Sequence, residues 1–224
     1  MRQKVFNLKN TPQLLKLVVA LCLGASHSTV EAQVHNNGSL HVAANGVLFV
    51  NSSPMTFGAT STTTTSKATT YAATDGKIIL SSTATFSTDG AAAKFVNGYA
   101  ETRSTSVKTL AIGAGTIYAP VQVTPSAATG THAAYFSSAP LTAVGSTLDT
   151  PAVTAVANAE YWIIKGASSV VSLSWRAGSG LSSYVFPDVT IVGYNTTSSK
   201  WEKIPSTIDA TSVFGGTSVL SGSG

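Results

Sequence analysis

Three shortages in this 224-residue chain bound what it can be. It has one cysteine, Cys22, so no intrachain disulfide and no multi-thiolate metal site can form. Only 10% of its residues are charged. The apolar run Leu17 to Ala25 is about half the ~20 residues a membrane helix needs. An amphipathic helical period is hard to find after residue 33.

The N-terminus reads as an export signal. Arg2, Lys4, Lys9 and Lys16 form a basic region, "LVVALCLGA" is a short apolar core, and Val30-Glu31-Ala32 fits a small-x-small cleavage site. The expected cut lies between Ala32 and Gln33. Leu21 before Cys22 is too large for a lipoprotein site. Cys22 then leaves with residues 1–32. That segment carries four of the 13 basic residues and one of the 9 acidic ones, which leaves a net charge of +1 on the remainder. A nearly neutral chain has no basic patch for nucleic acid and no electrostatic membrane site. A cysteine-free exported chain of ~190 residues is still long enough to bury a core unaided. The expected localisation is secreted or outer cell surface, with no transmembrane segment in the mature chain.

Strand patterns are frequent. Leu40/Val42 and Val121/Val123 alternate with polar residues, and Leu48/Val50 and Ile78/Leu80 repeat the same spacing. "VSLSW" places Val171, Leu173 and Trp175 on one face and Ser172 and Ser174 on the other. Asn-Gly at 37, 45 and 97 and Asp-Gly at 75 and 89 are turn signals, because these residues tolerate positive φ. The doublet "NGSLHV…NGVLFV" fits either a hairpin or successive edges of a β-coil. Residues 59–74, rich in threonine, read as a flexible loop or a flat strand.

From residue 109 the runs lengthen. "IYAPVQVTP" and "GTHAAYFSSAP" read as strands, and 139–158 as a long crossover. "EYWIIKG", "VVSLSW", "DVTIVGYN" and "KWEKIPS" read as four antiparallel strands, with "YNTTSSKW" as a hairpin connection. The expected fold is all-β. A repetitive, solenoid-like β region at 33–108 precedes a β-sandwich-like region at 109–224. "GGTSVLSGSG" opens like another strand and suggests that the natural chain continues.

These blocks resemble a recurring arrangement in large secreted surface proteins of the Bacteroidota, cargo of the type IX secretion system. The matching residues are Asn37 to Val50, Tyr118 to Pro125, Glu160 to Gly166, Val171 to Trp175, Val189 to Asn195 and Trp201 to Ser206. "LAIGAG" stands where that arrangement often has "FPVG", and the C-terminal sorting domain is not in this chain. The resemblance implies architecture and surface display, and carries over no catalytic residues.

The residues offer little chemistry. His35, His41 and His132 lack zinc spacing, the acidic residues form no calcium loop, and no Gly-x-Ser-x-Gly elbow occurs. No cofactor is expected. Glu160 and Glu202 are the best pair for a glycosidase, although each also reads as a solvated strand-end carboxylate. Trp162 and Trp175 read as core. Trp201, beside a polar hairpin, reads as the exposed ring, with Tyr194 its partner in stacking on sugar. Asn37, Asn51 and Asn195 open chance Asn-x-Ser/Thr matches. The expectation is a structural or adhesive surface protein without catalysis, contacting polysaccharide or other surface components. A carbohydrate-binding module is the alternative, and a glycoside hydrolase the third.

Overall fold

A computed structural model describes residues 33–69, 72–88, 94–181, 189–213 and 217–223. Cys22, Ala32, the Asp-Gly at 89 and Tyr184 lie outside them. The fold is all-β: among the described residues the helical content is one turn of α1 (Pro140–Ala143) and one 3-10 turn at Ala177–Ser179. No helix among the described residues is long and apolar enough to cross a membrane.

The N-terminal strands are short. They are β1 (His35–Asn36), β2 (Ser39–Val42), β3 (Val47–Val50), β4 (Met55–Phe57), β5 (Thr62–Thr65), β6 (Lys77–Leu80), β7 (Phe86–Ser87), β8 (Val96–Asn97) and β9 (Tyr99–Thr102). Each of β1 to β6 pairs in parallel with the third strand after it. The ladders are β1-β4-β7, β2-β5-β8 and β3-β6-β9. The opening doublet is thereby resolved. β2 and β3 never pair with each other; they belong to adjacent ladders, as successive edges of a coil do. Asn45 makes the corner between them at φ 62°. Phe49 and Val47 point outward, while Val50 and Leu48 pack inward.

Of the threonine-rich stretch, Thr62–Thr65 is a strand and not a loop. Thr63 and Thr65 are buried, and both hydroxyls are occupied. Asn36 Nδ2 donates to Thr63 Oγ1 at 2.8 Å, and the Tyr99 amide donates to Thr65 Oγ1 at 2.7 Å. β-branched side chains suit a pleated surface, and satisfied hydroxyls make their burial tolerable. Gly98 turns the chain from β8 into β9 at φ 151°, where a Cβ would stand 2.0 Å from Thr65 Oγ1. Only glycine fits that corner.

The remaining strands are mostly longer and antiparallel. They are β10 (Lys108–Leu110), β11 (Gly113–Ala114), β12 (Ile117–Tyr118), β13 (Val121–Pro125), β14 (Thr131–Phe136), β15 (Tyr161–Gly166), β16 (Ser169–Trp175), β17 (Ile191–Asn195), β18 (Lys200–Ile204), β19 (Ser206–Val213) and β20 (Thr217–Ser223). β14 pairs antiparallel with β9 and with β15, so the third parallel ladder grows into the five-stranded sheet β15-β14-β9-β6-β3. A second five-stranded sheet has the order β10-β13-β16-β20-β19. β17 and β18 form a separate hairpin in which Tyr194 faces Trp201.

One apolar cluster joins these parts. Val50, Ile78 and Ala100 of the parallel ladder pack in it with Val121, Val123, Tyr135 and Val171. β14 is buried at every position, because its other face packs Ala134 and Phe136 against Tyr99 and Tyr161. A strand covered on both faces needs no polar alternation. β16 departs from the expected pattern in a related way. Val171, Leu173 and Trp175 join the core, but Ser174, on the opposite face, is also buried at 1% exposure. β16 is an inner strand of its sheet, between β13 and β20, and its second face is not open to water at that point.

Candidate functional site

A groove of about 770 Å³ is walled by β15, β16 and β17 and by residues 152–157. Trp162, Trp175, Tyr194 and Trp201 line it, as do Glu160 and Ser174. Its volume falls in the usual ~300–1,000 Å³ range of small-molecule sites.

A buried charged triad lies at the Glu160 end. β14 supplies Tyr135, whose strand partner is Trp162; Glu160 immediately precedes β15, and Arg176 immediately follows β16. The Tyr135 hydroxyl donates to Glu160 Oε2 at 2.5 Å, and Arg176 Nη2 forms an ion pair with the same oxygen. The guanidinium also sits over the Tyr135 ring, 5.4 Å from its centroid. Burial, then the neighbouring carboxylate, pushes the Tyr135 phenol well above its ordinary value, so it remains a hydrogen-bond donor. Arg176 is fixed in turn by the 3-10 turn, its amide donating to Ser179 Oγ at 2.9 Å. Glu160 is 7% exposed, which overturns its reading as a solvated strand-end carboxylate. Its second oxygen, Oε1, has no protein partner, nor has Ser174 Oγ.

The hairpin end of the groove corrects another expectation. Trp201 is 6% exposed rather than an open ring. Residues 145–149 lie along β18: the Trp201 amide donates to Thr147 O, the Asp149 amide donates to Trp201 O, and the indole Nε1 donates to Gly145 O at 2.6 Å. Tyr194 covers the ring edge-on, with centroids 5.5 Å apart. Tyr194, on β17, is the more exposed of the two. The structure therefore brings the two expected aromatic residues together, with Trp201 as wall and Tyr194 towards the rim.

Glu202 sits elsewhere on that hairpin. It accepts from Ser198 Oγ at 2.6 Å and from Asn195 Nδ2 at 3.0 Å. The Ser198 and Asn195 hydrogen bonds hold its carboxyl below the usual value. Glu160 is committed to Tyr135 and Arg176, Glu202 to its own turn, and no described hydrogen bond or ion pair joins them. Sequence reasoning missed Tyr135, Ser174 and Arg176. Arg176 had a signal, since it follows an apolar strand with no nearby acid in sequence. Tyr135 and Ser174 had none, because only the sheet register places them.

The histidines are dispersed. His35 and His41 are exposed and bond to Thr56 and Thr64 across their ladders, at 2.6 and 2.8 Å. His132 is buried beside Tyr99, and burial pulls its pKa down to about 4 against an opposing pull from Glu101. Glu101 is itself held by Lys77 and Arg103 at 3.0 and 3.1 Å. Among the described residues no three His, Cys, Asp or Glu side chains gather as metal ligands. Gln33 is exposed ahead of β1. Comparisons with protein-family models, with curated proteins and with solved structures find no match to this chain.

Proposed function

We propose that this is a secreted or cell-surface β protein with a structural and adhesive role and no catalytic activity, of the kind its resemblance to Bacteroidota surface proteins implies. The observation that carries the reading is the set of three parallel ladders, the third of which continues into an antiparallel sheet. Stacked hydrogen-bonded turns make a stiff body that extends without disulfides. Its outer rows carry hydrogen-bonding groups: Ser39 lies against Thr62, and His41 against Thr64. Such a face suits broad, weak contact with other surfaces.

The test is antibody labelling of the cells that make the protein. Labelling of intact cells, lost after mild protease treatment, is the expected result. Labelling that needs cell lysis would overturn the reading.

A specific observation favours the second reading, a polysaccharide-binding module of a larger extracellular protein. Four aromatic residues, Trp162, Trp175, Tyr194 and Trp201, converge on one groove. Aromatic faces stack on the apolar faces of pyranose rings. Retention of the protein on an insoluble polysaccharide, weakened by Tyr194→Ala, supports this reading; absence of retention on cellulose, xylan and mannan counts against it.

A further inference from the structure

We infer that the Glu160 end of the groove is a subsite for a neutral saccharide residue, with Glu160 and Ser174 as its hydrogen-bonding floor. The inference rests on the polysaccharide reading and locates its site. Three observations carry it. First, Glu160 and Ser174 line the groove at 7% and 1% exposure, and Glu160 Oε1 and Ser174 Oγ each lack a protein partner. Buried polar atoms are nearly always paired, and leaving one unpaired is costly. A groove occupant that brings hydrogen-bond donors supplies what the fold does not.

Second, the charge selects the donor. Arg176 already neutralises the Glu160 carboxylate through Oε2. A cationic ligand would compete with an intramolecular ion pair, and an anionic one would face a carboxylate oxygen. A neutral hydroxyl donates to Oε1 and disturbs neither. The Ser174 hydroxyl both donates and accepts, so it can pair with a sugar hydroxyl in either role. Third, Trp162, two residues beyond Glu160, lines the same groove and is half-buried. Flat apolar walls over a few polar atoms are the arrangement that receives a sugar ring.

The experiment is titration calorimetry of the full chain with cellohexaose, xylohexaose, mannohexaose and laminarihexaose, and with hexagalacturonate as the charged control. Binding of at least one neutral hexasaccharide, and not of hexagalacturonate, is expected. Ser174→Ala should weaken it about 3- to 10-fold, the worth of one neutral hydrogen bond. Glu160→Gln should weaken it at least about 10-fold. Ser174→Ala removes an oxygen with no protein partner, so its near-UV spectrum should match the parent even if Glu160→Gln misfolds. Unchanged binding by Ser174→Ala, together with loss in Tyr194→Ala, would move the ligand to the hairpin end. That would overturn this subsite and keep the polysaccharide reading. Binding of none of the neutral hexasaccharides, or preference for hexagalacturonate, would overturn both.

Discussion

Arg176→Met should destabilise the fold by about 3–5 kcal/mol, because it strips the cation from a buried carboxylate. The Glu160 side chain is 4% exposed and the Arg176 side chain 21%, so water cannot readily replace the lost partner. Tyr135 alone would remain, donating one hydrogen bond to Glu160 Oε2. The loss should therefore exceed that of a surface pair, which is worth about 0–1 kcal/mol. With a urea dependence near 2 kcal/mol per molar, the midpoint should fall by roughly 1.5–2.5 M. Methionine keeps most of the aliphatic length, so the comparison tests charge more than volume. The double variant Glu160→Gln/Arg176→Met should recover at least about 1 kcal/mol relative to Arg176→Met, since it no longer buries a lone charge. Urea unfolding followed by tryptophan fluorescence reads both. A shift under about 0.5 M for Arg176→Met would refute the reasoning, because Glu160 would then be hydrated and the triad open.

Three further outcomes are expected. Gly98→Ala should cost at least about 2 kcal/mol in thermal or urea unfolding, since it adds strain at φ 151° to a 2.0 Å clash with Thr65 Oγ1; an unchanged melting temperature would contradict the corner geometry. Thr65→Val should cost about 1–3 kcal/mol by leaving the Tyr99 amide without its acceptor, and amide exchange at Tyr99 should accelerate. His132 holds its proton only below about 4 in the fold and near 6.5 when unfolded. Above 6.5 it makes no pH-dependent contribution. As pH falls from 6.5 towards 4 the unfolded chain binds the proton first, so stability declines across that window. His132→Gln should flatten the decline in urea midpoint between pH 7 and 4.

The strands were legible where the alternation has period two and turn residues bound it. Leu40/Val42, Leu48/Val50 and the Tyr194–Trp201 hairpin came directly from that pattern. The partners were not legible. Whether β2 pairs with β3 or with β5 depends on contacts 23 residues away, as between His41 and Thr64, and local pattern does not encode them. Thr62–Thr65 read equally as loop or strand because hydroxyl side chains mask a buried strand until their partners, Asn36 and Tyr99, are seen. The site was legible only at its aromatic residues. Trp201 was placed beside the right tyrosine, yet its burial comes from residues 145–149, a segment its own neighbours do not predict. Glu160 looked ordinary because Tyr135 reaches it from β14 and Arg176 from just past β16.

The parallel register is the central claim, and disulfide formation tests it most directly, since Cys22 is the chain's one native cysteine. In a Cys22→Ser background, the pair His41→Cys and Thr64→Cys occupies facing positions of β2 and β5. The pair His41→Cys and Leu48→Cys would face each other only if the doublet folded as a hairpin. Mild oxidation should cross-link 41 to 64 and leave 41 and 48 as free thiols by mass spectrometry. A cross-link between 41 and 48, with none between 41 and 64, would contradict the coil and the scaffold role built on it.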